Sequence, residues 1–312
     1  MRLSRGLADL RPDPKGAAVT IGNFDGVHLG HRAVLLALRA SAATVGGPAT
    51  VVCFEPTPRE FFAPAATPAR LTRFAEKHAL LAAAGCDHLV VLRFDAELAA
   101  LDAEAFVRCV LVEGLGAARV VIGDDFRFGR NRSGDLARMT KLGARHGFAV
   151  DRAPGFELDG ARVSSTAVRA RIAAGELDAA ARLLGRRYAI GGRVVYGDRL
   201  GRRLGFPTVN LPLRRRVSPL HGVFLVRVAG AGPVPRWGAA SVGTRPTVGG
   251  SKARCEVHLL DFDGDLYGRR LQVEFHARLR DEWRFDSLDA LRVQIGRDVE
   301  QARALAKIAE VD

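Results

Sequence analysis

Short apolar runs alternate with helical stretches through the first half of the chain, and this alternation constrains the fold more than any other feature. Five apolar runs have the length of buried strands, at residues 17–22, 49–54, 88–92, 119–123 and 148–150. Stretches with helical periodicity lie between them, at residues 29–43, 71–84, 103–113 and 135–146. Apolar strands that alternate with helices are typical of a parallel sheet covered on both faces. We therefore predict a doubly wound α/β domain that binds a nucleotide beyond the carboxyl ends of its strands.

The pattern changes after a helical stretch that runs from Ser165 to Leu184. Five short segments follow, many of alternating polarity and separated by glycine- and proline-rich turns, at residues 187–196, 222–228, 236–242, 254–260 and 271–279. Several strands with no helices between them predict a small antiparallel β-barrel. One amphipathic helix, from Ser287 as N-cap to about Leu305, closes the chain. A length of 312 residues also favours two domains, which we place at residues 1–184 and 185–312.

Composition narrows the cellular setting of the protein. The sequence has no run of about 18 apolar residues that would span a membrane, and its N-terminus has no apolar segment ahead of a cleavage site. We therefore expect a cytoplasmic protein with no membrane partner. The net charge of +13 attracts polyanions in general, so charge alone leaves nucleic acid and nucleotide open as ligands.

The first candidate site follows the first apolar strand directly. The run from Gly22 to His31 has the sequence Gly-Asn-Phe-Asp-Gly-Val-His-Leu-Gly-His. Glycines at a strand-to-helix turn let the backbone approach a phosphate closely, and the helix N-terminus supplies N–H donors. Two imidazoles three residues apart, those of His28 and His31, face the same way and can donate hydrogen bonds to an α-phosphate under attack.

This run resembles the HxGH signature of the nucleotidyltransferase superfamily, whose members share a Rossmann-like core with class I aminoacyl-tRNA synthetases. The resemblance implies catalytic roles for the two histidines. It also implies that four neighbouring residues contact ATP, namely Gly22, Phe24, Asp25 and Gly30.

Three further runs, at residues 54–62, 123–135 and 164–169, make the resemblance more specific. Together with the first run they look like the FMN adenylyltransferase module of bacterial bifunctional riboflavin kinase/FAD synthetases. The phenyl rings of Phe126 and Phe128 suit stacking on an isoalloxazine ring. The resemblance adds Phe62 and Asp125 as flavin contacts.

An anion site is predicted at the start of the next helix. Ser165 and Thr166 lie at its N-terminus and Arg169 follows one turn later. Backbone N–H groups, hydroxyls and a guanidinium together bind phosphate well. We expect these residues to bind the β,γ-phosphates of ATP, which leave as pyrophosphate.

The second candidate site is the run from Gly201 to Asn210, with the sequence Gly-Arg-Arg-Leu-Gly-Phe-Pro-Thr-Val-Asn. It resembles the G-x-P-T-A-N signature of riboflavin kinases, with Val209 at the usual alanine position. Thr208 and Asn210 are two apart in an extended segment and so face one way, and their neutral oxygens suit Mg²⁺ beside the phosphates of ATP. The resemblance implies that both residues bind metal and ATP, and that Gly201 and Gly205 also contact ATP.

Three more segments fit the same kinase family. Residues 254–262 resemble the strand that carries the catalytic base, and the resemblance assigns this role to Glu256. One carboxylate base beside Mg²⁺ is sufficient for the kinase reaction, because phosphoryl transfer depends mostly on positioning and charge neutralisation. His258 shares the face of Glu256 and could orient that carboxylate; a surface histidine is the preferred interpretation. Residues 279–288 resemble a flavin-side loop in which Arg280 is a contact, and residues 241–247 fit the barrel mouth.

Both halves of the chain thus indicate a flavin substrate. We expect riboflavin and ATP to give FMN and ADP in the C-terminal domain, and FMN and ATP to give FAD and pyrophosphate in the N-terminal domain, with Mg²⁺ as the metal. The alternative is an adenylyl- or cytidylyltransferase for another small phosphate, with an accessory barrel. A third hypothesis, an RNA-binding or synthetase-like protein, is suggested by the charge; since the chain has no Lys-Met-Ser-Lys-Ser loop, we expect no nucleic-acid partner.

Overall fold

A computed structural model describes residues 1–198, 200–247 and 250–310, and for residues 244–247 and 250–253 it describes the backbone alone. The chain divides into two compact units. The first consists of Met1–Thr67 and Lys77–Ser164, and the second of Pro68–Glu76 and the chain from Ser165 onward.

The first unit is built on a parallel sheet of six strands in the order β1-β4-β3-β2-β5-β6. The strands are β1 (Arg2–Arg5), β2 (Ala17–Ile21), β3 (Ala49–Glu55), β4 (His88–Arg93), β5 (Ala117–Ile122) and β6 (Ala149–Arg152). All five residues of β2 are buried, as expected for a central strand of a covered parallel sheet. The strand order reverses between β2 and β5, so the crevice beyond their carboxyl ends is the expected ligand site. A short hairpin of β7 (Glu157–Leu158) and β8 (Ala161–Arg162) follows.

Helices connect these strands. They are α1 (Leu29–Val45), α2 (Pro58–Phe62), α3 (Phe74–Ala83), α4 (Ala96–Ala100), α5 (Ala103–Phe106), which continues as a π-helical segment (Val107–Val112), and α6 (Leu136–His146). Short polar side chains accept from backbone N–H groups at several of their starts, as Asp95 does for α4, Asp102 for α5 and Asp135 for α6.

The second unit is an antiparallel sheet of six strands in the order β10-β13-β12-β11-β14-β9. Its elements are α7 (Ser165–Ala173), α8 (Leu177–Leu184), β9 (Ala189–Arg193), α9 (Leu200–Arg203), β10 (Val209–Pro212), β11 (Gly222–Ala229), β12 (Arg236–Thr247), β13 (Gly250–Leu259), β14 (Arg270–Arg280) and α10 (Leu288–Ala309). Val195, just past β9, pairs with Asn210 of β10. This bridge joins the two edges, and the sheet forms a nearly closed barrel.

Apolar side chains fill the barrel and cover one outer face. Phe224, Val257 and Phe275 are among the fully buried residues of the interior. On the outside, Ala302 and Ala306 of α10 pack against Leu225 and Ala239 of the sheet. The predicted fold class, a Rossmann-like domain followed by a barrel with a C-terminal helix, is confirmed.

The structure differs from the sequence prediction between Ser165 and Leu184. One helix was expected there, but α7 and α8 are separated at Gly175, whose φ of +79° is in the left-handed region and ends a helix. Both helices belong to the second compact unit, because Val168 and Leu184 pack into the barrel-side core. The predicted functional boundary after residue 184 therefore differs from the division into compact units and stays a prediction.

Candidate active sites

The turn between β2 and α1 has an unusual backbone. Phe24, Gly26 and Val27 have φ values of 47°, 86° and 42°. For phenylalanine and a β-branched residue this region is strained and has to be held by the surroundings. Phe24 and Val27 are buried, which anchors the turn. Such strained turns cluster at functional sites, and this one lies at the crevice where the strand order reverses.

His28 and His31 lie together at the start of α1. Nδ1 of His28 accepts a hydrogen bond of 3.2 Å from the backbone N–H of His31, which makes His28 the N-cap. Because Nδ1 accepts, the neutral ring carries its proton on Nε2, where it can donate to a ligand. The two rings stack with centroids 3.6 Å apart and an angle of 18° between their planes. The expectation that both imidazoles face the same way is confirmed.

Glycines leave the space that these rings occupy. A Cβ at Gly30 would lie 3.1 Å from the carbonyl oxygen of Val163 and 3.2 Å from the ring of His28, and a Cβ at Gly22 would lie 3.1 Å from the ring of Phe24. Any larger residue would push against the histidine or the aromatic ring. Asp25, half-buried, completes the turn.

The loop after β5 carries the predicted flavin contacts. Phe126 is half-buried and stacks on Phe128, with ring centroids 5.6 Å apart. Phe128 is 6% exposed and also contacts Phe106, so it supports Phe126 from the core. The carboxylate of Asp125 is exposed and pairs with Arg162 of β8 at 2.8 Å.

Phe62 belongs to an aromatic cluster at the carboxyl ends of β3 and β4. The rings of Phe61 and Phe62 both meet Phe94 edge-on, and Phe94 also meets Phe54. Phe62 is the most exposed of these rings, at 68%. An exposed phenyl ring on an aromatic base is suited to binding a flat apolar ligand.

The predicted anion site at the start of α7 lies in the second unit. Ser165 is half-buried and Thr166 is exposed. Nε of Arg169 donates to the carbonyl oxygen of Ala69 at 2.6 Å, which fixes the guanidinium to the segment Pro68–Glu76. The residues of this group and the histidines of α1 belong to different units.

The Gly201–Asn210 run folds as a single helical turn, α9, followed by a glycine and the start of β10. Gly205 ends the turn with a φ of +89°, and the N–H of Phe206 donates to the carbonyl of Gly201 at 2.8 Å. A Cβ at Gly201 would lie 2.4 Å from the carbonyl oxygen of Phe206 and 3.2 Å from the hydroxyl of Thr208. Glycine at this position therefore lets the turn fold tightly against Thr208.

Sheet register places Asn210, Glu256 and Ser241 in one row. Asn210 of β10 is opposite Glu256 of β13, which is opposite Ser241 of β12. Side chains directly opposite one another lie on the same face, with Cβ atoms about 5 Å apart. Asn210 is 7% exposed, and its amide lies over Gly197, where a Cβ would come within 2.5 Å of it. The structure thus brings a buried amide and a half-buried carboxylate together.

A cavity of about 350 Å³ adjoins this row. Its lining comes from residues 207–209 and 262–267 together with Val194, Arg202, Val257 and Leu259. Thr208 lines the cavity; Asn210 and Glu256 do not, because they lie on the opposite faces of their strands from Val209 and Val257. Of the three predicted residues Thr208, Asn210 and Glu256, Thr208 alone lines the cavity.

The structure assigns Arg280 a contact that the sequence does not indicate. Its guanidinium binds the carboxylate of Asp298 in α10, at 2.8 Å from Nε and 2.7 Å from Nη2, and both side chains are nearly buried. It also lies over the rings of Trp283 and Phe285. Arg280 therefore anchors the loop before α10, and its contact with flavin stays a prediction.

Sequence reasoning missed most of the segment 262–267 that closes the cavity. The signal was present: Asp263-Gly264-Asp265 begins four residues after Leu259, where the strand of Glu256 ends, and such residues favour a tight turn. Tyr267 of this segment stacks on Tyr196 with centroids 3.9 Å apart. Of the predicted barrel-mouth segment, the side chains of residues 244–247 lie outside the described part of the chain.

Two family models match the chain in the order of its candidate sites. One described as FAD synthetase matches residues 10–167, and one described as riboflavin kinase matches residues 184–306. The bifunctional riboflavin kinase/FMN adenylyltransferase of Pseudomonas fluorescens is 52% identical over 308 residues, which are 98% of each chain. The chain belongs to this bifunctional family. The Escherichia coli K12 enzyme of the same name is 49% identical over 97% of each chain.

A solved structure supports the fold along the whole chain. The crystal structure described as a macrolide-efflux protein from Streptococcus pneumoniae has a TM-score of 0.80 and 30% identity, and covers 97% of this chain and 99% of its own. Its description names another activity, so the function rests on the family models and the curated relatives. Among the described residues, no helix has the length and apolar character needed to cross a membrane.

The enzyme therefore combines riboflavin kinase and FMN adenylyltransferase activities in one chain, as predicted. The matched segments place FAD synthetase first and riboflavin kinase second. The names of the relatives imply riboflavin and FMN as substrates and FAD as product, and both activities imply the use of ATP.

Proposed function

We propose that riboflavin is phosphorylated beside the row of Asn210 and Glu256, with ATP reaching it past Thr208. The register that sets Asn210 opposite Glu256 carries this proposal, since it brings the predicted metal ligand beside the predicted base. In this proposal the adenosine of ATP occupies the 350 Å³ cavity, and its phosphates extend past Thr208 towards Glu256.

Glu256 accepts the proton of the ribityl 5′-hydroxyl as that oxygen attacks the γ-phosphorus and ADP leaves. Thr208 and Asn210 offer neutral, hard oxygens of the kind that Mg²⁺ binds. Asn210 is nearly buried, with its amide over Gly197, and burial leaves its side chain little conformational freedom to lose on binding. A bound Mg²⁺ supplies charge neutralisation at the phosphates.

Adenylyl transfer is assigned to the turn between β2 and α1. His28, through its Nε2–H, and His31 donate to the α-phosphate of ATP as a phosphate oxygen of FMN attacks and pyrophosphate leaves. Ser165, Thr166 and Arg169 bind the departing pyrophosphate. Phe62 and Phe126 contact the flavin ring, with Phe128 behind the latter.

The same proposal covers the extent of the two functional domains and the setting in which they work. Residues 1–184 carry adenylyl transfer and residues 185–312 carry phosphorylation, because residue 184 ends α8 and the barrel strands follow. We assign both reactions to the cytoplasm, and we assign no nucleic-acid or membrane partner.

A time course tests this proposal. Given riboflavin, ATP and MgCl₂, the native enzyme should form FMN first and FAD after a lag, because the product of one reaction is the substrate of the other. Replacing MgCl₂ with EDTA should stop FMN formation. FMN formation that continues unchanged in EDTA would contradict the Mg²⁺ assignment, and an enzyme for another small phosphate would form neither flavin.

A further inference from the structure

His258 lies on β13 two residues after Glu256, on the same face of the strand. Its side chain does not simply extend into solvent. Nδ1 lies 2.9 Å from the carbonyl oxygen of Pro207, and its ring meets the ring of Phe206 edge-on at a centroid distance of 5.7 Å. A carbonyl oxygen can only accept, so Nδ1 carries the proton in this contact.

This hydrogen bond acts where the backbone ladder ends. The paired residues of β10 and β13 run from Val209 and Val257 to Pro212 and Arg254. Beyond Val209 and Val257 this backbone pairing stops, and the side chain of His258 supplies a donor to the carbonyl of Pro207. The two strands are thus held together one step beyond their last backbone pair.

The contact fixes the peptide plane that precedes Thr208. The six atoms from Cα of Pro207 to Cα of Thr208 are coplanar, so holding the carbonyl oxygen also orients the N–H and Cα of Thr208. On its other side the turn passes so close to Gly201 that a Cβ there would lie 3.2 Å from the Thr208 hydroxyl. His258 therefore links the strand of Glu256 to the turn that presents Thr208 to the cavity.

We propose that His258 is a positioning residue of the kinase site, which sets the distance between Thr208 and Glu256 through the carbonyl of Pro207. This inference rests on the proposed roles of Thr208 and Glu256. Misplacing a reacting group by about 1 Å can cost roughly 10²-fold in rate. The loss should therefore appear in kinase turnover and in the use of Mg²⁺, while adenylylation of supplied FMN stays unchanged.

Three variants of the full chain test the proposal. In His258→Asn the amide nitrogen can take the place of Nδ1, because both atoms are two bonds from Cβ. In His258→Gln the amide nitrogen is one bond farther from Cβ, and in His258→Leu the side chain has no hydrogen-bond donor. We expect the Asn variant to keep kinase kcat within about 3-fold of native, and the Gln and Leu variants to lose about 10- to 100-fold. His276→Asn, on the outer face of β14, is the matched control and should behave as native.

A binding measurement separates positioning from general loss of structure. Calorimetry with ADP, with and without MgCl₂, should show that Mg²⁺ improves ADP affinity in the native and Asn proteins, and improves it less in the Gln and Leu proteins. Three results would each overturn the proposal. The Asn variant could lose as much kinase turnover as the Gln variant, or the Leu variant could keep native turnover. The third is that Mg²⁺ improves ADP affinity in both the Gln and Leu variants as much as in the native protein. Glu256→Gln is assayed in parallel: retained kinase activity there would refute the underlying site assignment instead.

Discussion

The ring of His31 contacts two other rings: it stacks on that of His28, and its centroid lies 4.9 Å from that of Phe24. This packing fixes its orientation before a nucleotide arrives, and preorganised donors account for much of the catalysis at such sites. We expect His31→Ala to slow FAD formation from FMN by about 10²- to 10³-fold. Riboflavin phosphorylation by the same preparation should stay near native and serves as the folding control. Unchanged FAD synthesis would remove His31 from the mechanism.

His88 is a buried histidine of the parallel sheet, with Nε2 3.0 Å from the hydroxyl of Ser4. Burial, with a smaller contribution from Arg2, lowers the pKa of His88 from 6.5 to about 4. The unfolded chain therefore binds a proton below pH 6.5 that the folded chain takes up only near pH 4, and stability falls as the pH is lowered through this window. Between pH 8 and pH 5 this linkage costs about 2 kcal/mol.

The His88 linkage is measured by urea unfolding at both pH values. His88→Gln should lose less stability than the native protein over this interval, by about the same 2 kcal/mol. His221→Gln, at an exposed position, is the control and should follow the native pH dependence. If the free energy of unfolding of His88→Gln and of the native protein falls by the same amount between pH 8 and pH 5, the buried neutral histidine is not the source of the pH dependence.

The contacts of a side chain could be predicted from the sequence where its partners are only a few residues away. The spacing of His28 and His31 after a glycine-rich strand end is enough to predict that the two rings face the same way, because a helix fixes the geometry of residues three apart. The partners of Arg280 and His258 could not be predicted in this way. Asp298 is 18 residues from Arg280, and Pro207 is 51 residues from His258, so both contacts depend on how separate elements pack.

Among the elements, α10 has the clearest sequence signal. Ser287 was predicted as its N-cap, and its hydroxyl accepts from the N–H of Ala290 at 3.1 Å. Ser287→Ala should lower the free energy of unfolding by about 1 kcal/mol, and Ser287→Asp should restore it, because aspartate also caps. Urea unfolding followed by the fluorescence of Trp237, which donates to Glu310 at the end of α10, measures both. Equal stability of the Ala and Asp variants would contradict the capping role.

Elements with a strong apolar pattern could be predicted, and short polar ones could not. The five apolar runs of the first half all form strands of the sheet. The sixth strand, β1, has the sequence Arg-Leu-Ser-Arg and is polar because it lies at the sheet edge. Similarly, β10 has only four residues and directly follows the Pro-Thr turn. Its composition gives little strand signal, and it is a strand because it pairs with β13.

At the scale of the whole molecule, the division into units depends on contacts between distant parts of the sequence. Residues 68–76 lie within the first half of the chain but belong to the second unit. Glu76 forms an ion pair of 2.6 Å with Arg215, whose side chain is 1% exposed, and the hydroxyl of Tyr188 donates to the carbonyl of Leu71. Loss of one partner from a buried pair costs about 3–5 kcal/mol. No local pattern in residues 68–76 indicates these partners, which explains why the sequence prediction assigned them to the first domain.

We propose that the two flavin activities of this chain are separable, with Glu256 as the base of the kinase alone. The most direct measurement is the Glu256→Gln enzyme, assayed once with riboflavin, ATP and MgCl₂ and once with FMN, ATP and MgCl₂. We predict that FMN formation from riboflavin falls by at least about 10²-fold, while FAD formation from FMN proceeds at the native rate. A folded variant that still phosphorylates riboflavin, or one that loses both activities, would contradict the account.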